Sequence, residues 1–328
     1  MSHSHDISGK RGAAGADLDP DIRRFVTRMG EAWARHPALD TVSPAQARKI
    51  AELVRAPWAA GGPAMHRTRE HFVPCREQRF VRVRVHEPLD RPLGPALIYL
   101  HGGGWTIFSI DTHDRVMREY AHRAQVAVVG VDYSLSPETR FPQALQEIAA
   151  VIAWLPEHGA VLGIDPRALC IGGDSAGANL AIATALAMRD AASGPALRGM
   201  LLNYGAFDSA CDYPSYDVFG GAGYMLGDTE MAAFWRNYLG SAGDDASPLA
   251  CPLRAHLHGL PPAYLAVAEC DVLYDENIVM IGRLKAAGVP VTANVYGAVS
   301  HSFLEAVSIS HIADRAFDDA ATWLRSVL

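Results

Sequence analysis

Short apolar runs and longer amphipathic stretches alternate along most of this chain. The first two stretches, Ile22 to Trp33 and Pro44 to Trp58, carry helical spacing. The second opens on Ser43 followed by Pro44, a favourable helix start. Gly61-Gly62-Pro63 breaks the chain. Phe80, Val81, Val83 and Val85 then intersperse with Arg82, Arg84 and His86, which predicts a half-exposed strand. Ala96 to Leu100 is continuously apolar, as in a strand covered on both faces. A helix over Thr112 to Arg123, a strand over Val126 to Val131 and a helix over Gln143 to Trp154 follow. Next come a strand over Ala168 to Gly172, a helix over Ala178 to Met188 and a strand over Met200 to Asn203. The last elements are a strand over Tyr264 to Ala268, a helix over Glu276 to Ala287 and a strand over Val291 to Tyr296. The stretch from Phe303 to Val327 reads as mostly helical.

This rhythm implies right-handed βαβ crossovers, hence an α/β fold with a mostly parallel sheet and helices on both faces. Residues Ala206 to Ala250 interrupt it with aromatics and glycines, including Phe207, Tyr224, Phe234, Trp235 and Tyr238. The expected organisation is a tail and two cap helices over 1–62, a main domain over 63–205 and 251–328, and a second cap segment over 206–250. The second segment is expected to pack with the early helices.

Composition narrows the function classes. A chain of 328 residues suits one large α/β domain with an insertion. The net charge of −7 is spread without blocks, which argues against nucleic acid or an anionic membrane as the main partner. No apolar run approaches the length of a membrane span. Met1 to Asp21 is polar, lacks the layout of a signal peptide and holds His3 and His5 in a loose tail. A cytoplasmic protein is the expectation. Five scattered cysteines without a C-x-x-C pair argue against a disulfide framework or a zinc site.

The candidate chemistry centres on Gly173-Asp174-Ser175-Ala176-Gly177, a G-x-S-x-G pattern between a predicted strand and a predicted helix. A nucleophilic serine needs a base, a group that orients the base, and donors for the oxyanion. The helix start places backbone N–H groups, notably that of Ala176, where negative charge can develop. His101-Gly102-Gly103-Gly104-Trp105 directly follows the Ala96 to Leu100 strand, and its glycines can turn two further N–H groups toward a ligand. No nucleotide-binding glycine motif occurs. His101 is expected to fix this loop by hydrogen bonding. In the chain order Ser, acid, His, the acid should follow a later strand. Asp271 is the first choice and Asp275 the runner-up. His301 fits the base; His311 lies in a helical stretch, and His256 and His258 lie in the wrong place. The latter pair, an H-x-H without a nearby carboxylate, is weak evidence for a metal.

Together these motifs resemble the hormone-sensitive-lipase-like branch of the α/β-hydrolases. The matching pieces are His101 to Trp105, Gly173 to Gly177, Asp271-Val272-Leu273-Tyr274-Asp275-Glu276, His301-Ser302-Phe303, and Asp132-Tyr133-Ser134-Leu135-Ser136-Pro137-Glu138 through Phe141-Pro142. Within the branch, Asp111-Thr112-His113-Asp114-Arg115 and the YSLSPE form are most similar to bacterial acetyl esterases. The resemblance implies Ser175 as nucleophile, His301 as base and Asp271 as its orienter. It implies an oxyanion hole made by the N–H groups of Gly103, Gly104 and Ala176, and a cap over the acyl pocket. It also implies a small-molecule ester substrate without cofactor or metal, hydrolysed as a short-chain acyl ester. Amide hydrolysis, or ligand binding without catalysis as in the plant gibberellin receptors, are the alternatives. Dimerisation is common in the family, though no residue here compels it. Val272 stands where proline is usual and Ser302 where glycine is common, and the latter could alter the path of the loop carrying His301.

Overall fold

A computed structural model describes residues 17–76, 79–90, 93–240 and 247–328. The expected tail with His3 and His5 lies outside the described residues. One sheet of eight strands forms the centre, in the order β1-β2-β4-β3-β5-β6-β7-β8. The strands are β1 Arg67–Pro74, β2 Phe80–Glu87, β3 Gly94–Leu100, β4 Ala127–Asp132, β5 Ile164–Asp174, β6 Leu197–Asn203, β7 Ala263–Cys270 and β8 Val291–Ser300. Pairing is antiparallel from β1 to β2 and from β2 to β4, and parallel across the rest. Strand β3 carries the continuous apolar character that burial on both faces requires, and the second half of β5 is buried beside it.

Helices α3 Asp114–Ala124 and α9 His311–Val327 pack together beside the sheet. Helices α4 Gln143–His158 and α5 Ala176–Ala191 form a second pair, and α8 Tyr274–Ala286 packs on β7 and β8. The early helices are α1 Pro20–Trp33 and α2 Pro44–Ala59, and the interrupting segment holds α6 Pro214–Phe219 and α7 Asp228–Leu239. Asp19 caps α1 and Ser43 caps α2 by accepting from first-turn N–H groups. Among the described residues, no helix is long and apolar enough to cross a membrane. All five cysteines are free thiols.

Three differences from the sequence-based expectation matter. Strand β1 was not anticipated: it is an edge strand with exposed residues on both faces, so no apolar alternation marks it. Strand β8 runs on to Ser300, past Gly297 and the positive-φ residue Ala298, so His301 follows the strand directly. The stretch after His301 is a separate 3₁₀ turn, Phe303–Ser308, before α9 begins at His311.

Helix α2 and the interrupting segment attach to the loops that carry the candidate site. Arg48 on α2 donates to the Thr106 and Ser136 carbonyls, each at 2.9 Å, and pairs with Glu138. Arg55, about two turns further along α2, forms a buried ion pair with Glu305 in the turn after His301. The amide of Asn179 on α5 donates to both ends of the interrupting segment, the Ala206 carbonyl at 2.8 Å and the Ala250 carbonyl at 2.9 Å. Helix α7 packs on the loop after β3: Trp105 stacks on Tyr238 with ring centres 4.3 Å apart, and lies 4.4 Å from Trp235. The packing of this segment is thus directed at the loop after β3 as well as at its flanks.

Asn179→Ala leaves two buried carbonyls without their donor. Each such loss costs about 1–3 kcal/mol, so global stability should fall by about 2–6 kcal/mol. Limited proteolysis within 206–250 should accelerate, and an unchanged urea midpoint with unchanged cleavage would contradict the clamp.

Candidate active site

Ser175 occupies the corner between β5 and α5, with φ 54° and ψ −119°. A non-glycine residue there carries strain of about 1–3 kcal/mol, held in place by its surroundings. The turn is possible because Gly177 lacks a side chain: a Cβ there would lie 1.9 Å from the Leu100 carbonyl oxygen. That contact presses the start of α5 against the end of β3. The serine N–H donates to the Asn203 carbonyl at 2.9 Å, tying the corner to β6.

His301 Nε2 lies 3.0 Å from Ser175 Oγ, and His301 Nδ1 lies 2.7 Å from Asp271 Oδ2. The other Asp271 oxygen accepts the Leu273 N–H at 3.0 Å. All three side chains are buried. A carboxylate only accepts, so Nδ1 is the donor; in the neutral ring Nε2 is then free to accept the serine hydroxyl. Asp275, the runner-up, points elsewhere and accepts the Ser215 N–H at 2.7 Å, anchoring α6. Glu269 accepts the Ala298 N–H at 2.9 Å and thereby supports the strand end that carries His301. Ser302 adopts φ 60° and ψ 18°, the left-handed conformation that glycine favours, and His301 remains within reach of Ser175. The carbonyls of His256 and His258 accept from Arg189, at the far end of α5. His311 opens α9 on the exposed surface.

The loop after β3 turns its carbonyls inward. The Gly103 carbonyl accepts the Thr106 and Ile107 N–H groups, both at 3.0 Å. Gly104 has φ 57°, and a Cβ there would meet the Phe234 ring at 2.1 Å. Among the described residues, the N–H groups of Gly103, Gly104 and Ala176 donate to no group of the chain. Free N–H donors of this kind are what a developing oxyanion requires.

Asp174 is a functional neighbour that the sequence pattern left as a variable position. It is buried, and it accepts from Tyr99 Oη at 2.7 Å and from the Gly102 N–H at 3.2 Å. His113 Nε2 lies 3.3 Å from its second oxygen. Burial alone would raise the Asp174 pKa, but the His113 charge and these donors outweigh it and hold it below the usual range. For His113, burial opposes the charged form, yet Asp174 prevails and the value is raised. The Asp174–Gly102 contact fixes the first residue of the glycine loop against the corner bearing Ser175. His101 keeps that loop in place as expected: Nδ1 lies 2.7 Å from the Gly102 oxygen, and the ring stacks on Tyr133. Burial, with His113 nearby, lowers its pKa to about 4, so it stays neutral. The described residues contain no cluster of ligands suited to a metal ion.

A family model described as the alpha/beta hydrolase fold matches residues 97–305. Among solved structures, an esterase from the hyperthermophilic archaeon Pyrobaculum calidifontis is 32% identical with a TM-score of 0.87, covering 95% of this chain and 99% of its own. An ester hydrolase from the metagenome of Lake Arreo, complexed with a bipyridine phosphonate derivative, is 32% identical at a TM-score of 0.87, covering 94% and 98%. The thermostable carboxylesterase EstE from a metagenomic library is 32% identical at a TM-score of 0.84, covering 88% and 98%.

The raised His113 pKa has a definite linkage sign. Its stabilisation is complete below the ordinary histidine value of about 6.5 and is lost as pH rises through the raised value. Asp174 stays ionised throughout that range. Wild type should therefore exceed His113→Gln in urea stability by about 1–3 kcal/mol near pH 6, and by less near pH 9. A difference independent of pH would refute the charged pair.

Proposed function

The chain belongs to the α/β-hydrolase family, in its hormone-sensitive-lipase-like branch, and is a serine carboxylic ester hydrolase; we propose that it cleaves short-chain acyl esters through Ser175, His301 and Asp271. The observation that carries this reading is the hydrogen-bonded line from Ser175 Oγ to His301 to Asp271, and the free N–H groups of Gly103, Gly104 and Ala176 support it. Ser175 attacks the ester carbonyl while His301 takes its proton. Asp271 holds the imidazole orientation and stabilises the imidazolium that forms. The N–H groups of Gly103, Gly104 and Ala176 receive the oxyanion, and each such donor is worth about 10²–10³ in rate. His301 then protonates the leaving alcohol, and water repeats the sequence to release the acid.

Helices α1 and α2 and the segment 206–250 serve as a cap in this reading, above the main domain of 63–205 and 251–328. The short acyl limit rests on α7. The Phe234 ring lies against Gly104, and the Trp105, Trp235 and Tyr238 rings pack beside it. Large immobile rings next to the oxyanion loop leave room for an acyl group of acetyl to about butyryl or hexanoyl size.

A p-nitrophenyl ester series tests both parts. Peak kcat/KM should fall between acetyl and butyryl, with a decline beyond hexanoyl. Ser175→Ala should stay folded and lose about 10⁴-fold or more in kcat. Undiminished turnover by that variant defeats the nucleophile, and a flat chain-length profile defeats the acyl limit.

A further inference from the structure

Glu230 lies in the first turn of α7, four residues before Phe234 and therefore on the same helix face. Phe234 packs against Gly104, so this face of α7 looks onto the oxyanion loop. Just upstream, the Met225 N–H donates to Ser300 Oγ at 2.9 Å, beside His301. The segment from Met225 to Phe234 therefore bridges the base and the oxyanion donors, with Glu230 between them.

Glu230 is exposed to solvent in the first turn of α7, whose N-cap is Gly227. Desolvation by the surrounding protein raises its pKa; the Gly227 N–H, His301 and Arg55 act in the opposite direction.

The other charges around the site are matched. Arg55 is held by Glu305, His113 lies against Asp174, and Asp271 is bonded to His301. Among the described residues, Glu230 forms no ion pair. The Met225–Ser300 contact places this end of α7 on the His301 side of the oxyanion loop, toward the leaving alcohol that His301 must reach to protonate it.

We propose that Glu230 is a specificity-determining residue that selects esters whose alcohol portion carries a cationic group. This inference rests on the esterase reading above. The carboxylate would meet the cation of the alcohol portion while the ester carbonyl sits against Gly103 and Gly104.

Acetylcholine and its uncharged isostere, with tert-butyl in place of trimethylammonium, provide the test. At about pH 8, where a raised carboxyl is ionised, wild type should favour the cationic ester by about tenfold in kcat/KM. The preference should sit mainly in KM and shrink as salt is added. Glu230→Gln keeps an acceptor for the Gly227 N–H and removes the charge, so the ratio should fall to about one. Glu230→Lys should carry it below one. Equal rates on the two esters in wild type, or an unchanged ratio in Glu230→Gln, overturn this inference alone when p-nitrophenyl acetate is turned over. Turnover of no ester at all overturns the esterase reading and this inference with it.

Discussion

At Ser175 the backbone leaves β5 in a left-handed conformation, and everything chemical in the molecule is arranged around holding that turn. The contact between Gly177 and the Leu100 carbonyl brings the ends of two central parallel strands together. One consequence is that the serine oxygen stands clear of the sheet. Another is that the Ala176 N–H, at the start of α5, is left without an acceptor, as are those of Gly103 and Gly104. The strain is small beside the burial of β3 and of the second half of β5. A larger residue at 177 would have to separate β3 from α5, and the glycine loop would part from Ser175.

Polar groups buried beneath that turn supply the second level of order. Asp174 reaches back to Gly102 and Tyr99 and across to His113, so one carboxylate joins β3, the glycine loop and the start of α3. Such a network favours a single arrangement when every member is satisfied. The cap is tied to the same parts. Arg48 holds the carbonyl of Thr106 in the glycine loop, and Arg55 holds Glu305 just beyond His301. Movement of α2 is therefore coupled to the two segments on which the proposed chemistry depends.

Much of the core was legible in the chain because it obeys simple periodicities. The apolar run at Ala96 to Leu100 became β3, and the Ala178 to Met188 pattern lies within α5. The residues Ser175, Asp271 and His301 could be chosen because each follows a strand, and the structure brings them within hydrogen-bonding distance. Strand β1 was hidden because one face is exposed and the other carries Arg67, Arg69 and His71 in place of apolar residues. Tyr99 was hidden inside an apolar run, where its hydroxyl gives no periodic signal, although that hydroxyl meets Asp174. Arg48 was invisible for another reason: its partners Thr106, Ser136 and Glu138 lie far away along the chain, and only the fold brings them near. The raised charge on His113 likewise depends on Asp174, which is distant in sequence.

The central claim is that Ser175 is the nucleophile and that an acyl-enzyme forms on it. Its most direct measurement is intact-mass analysis after reaction with a fluorophosphonate, followed by peptide mapping. A single adduct on the peptide containing Ser175, absent after Ser175→Ala, is the expected result. An adduct elsewhere, or none on an enzyme that turns over esters, would contradict it.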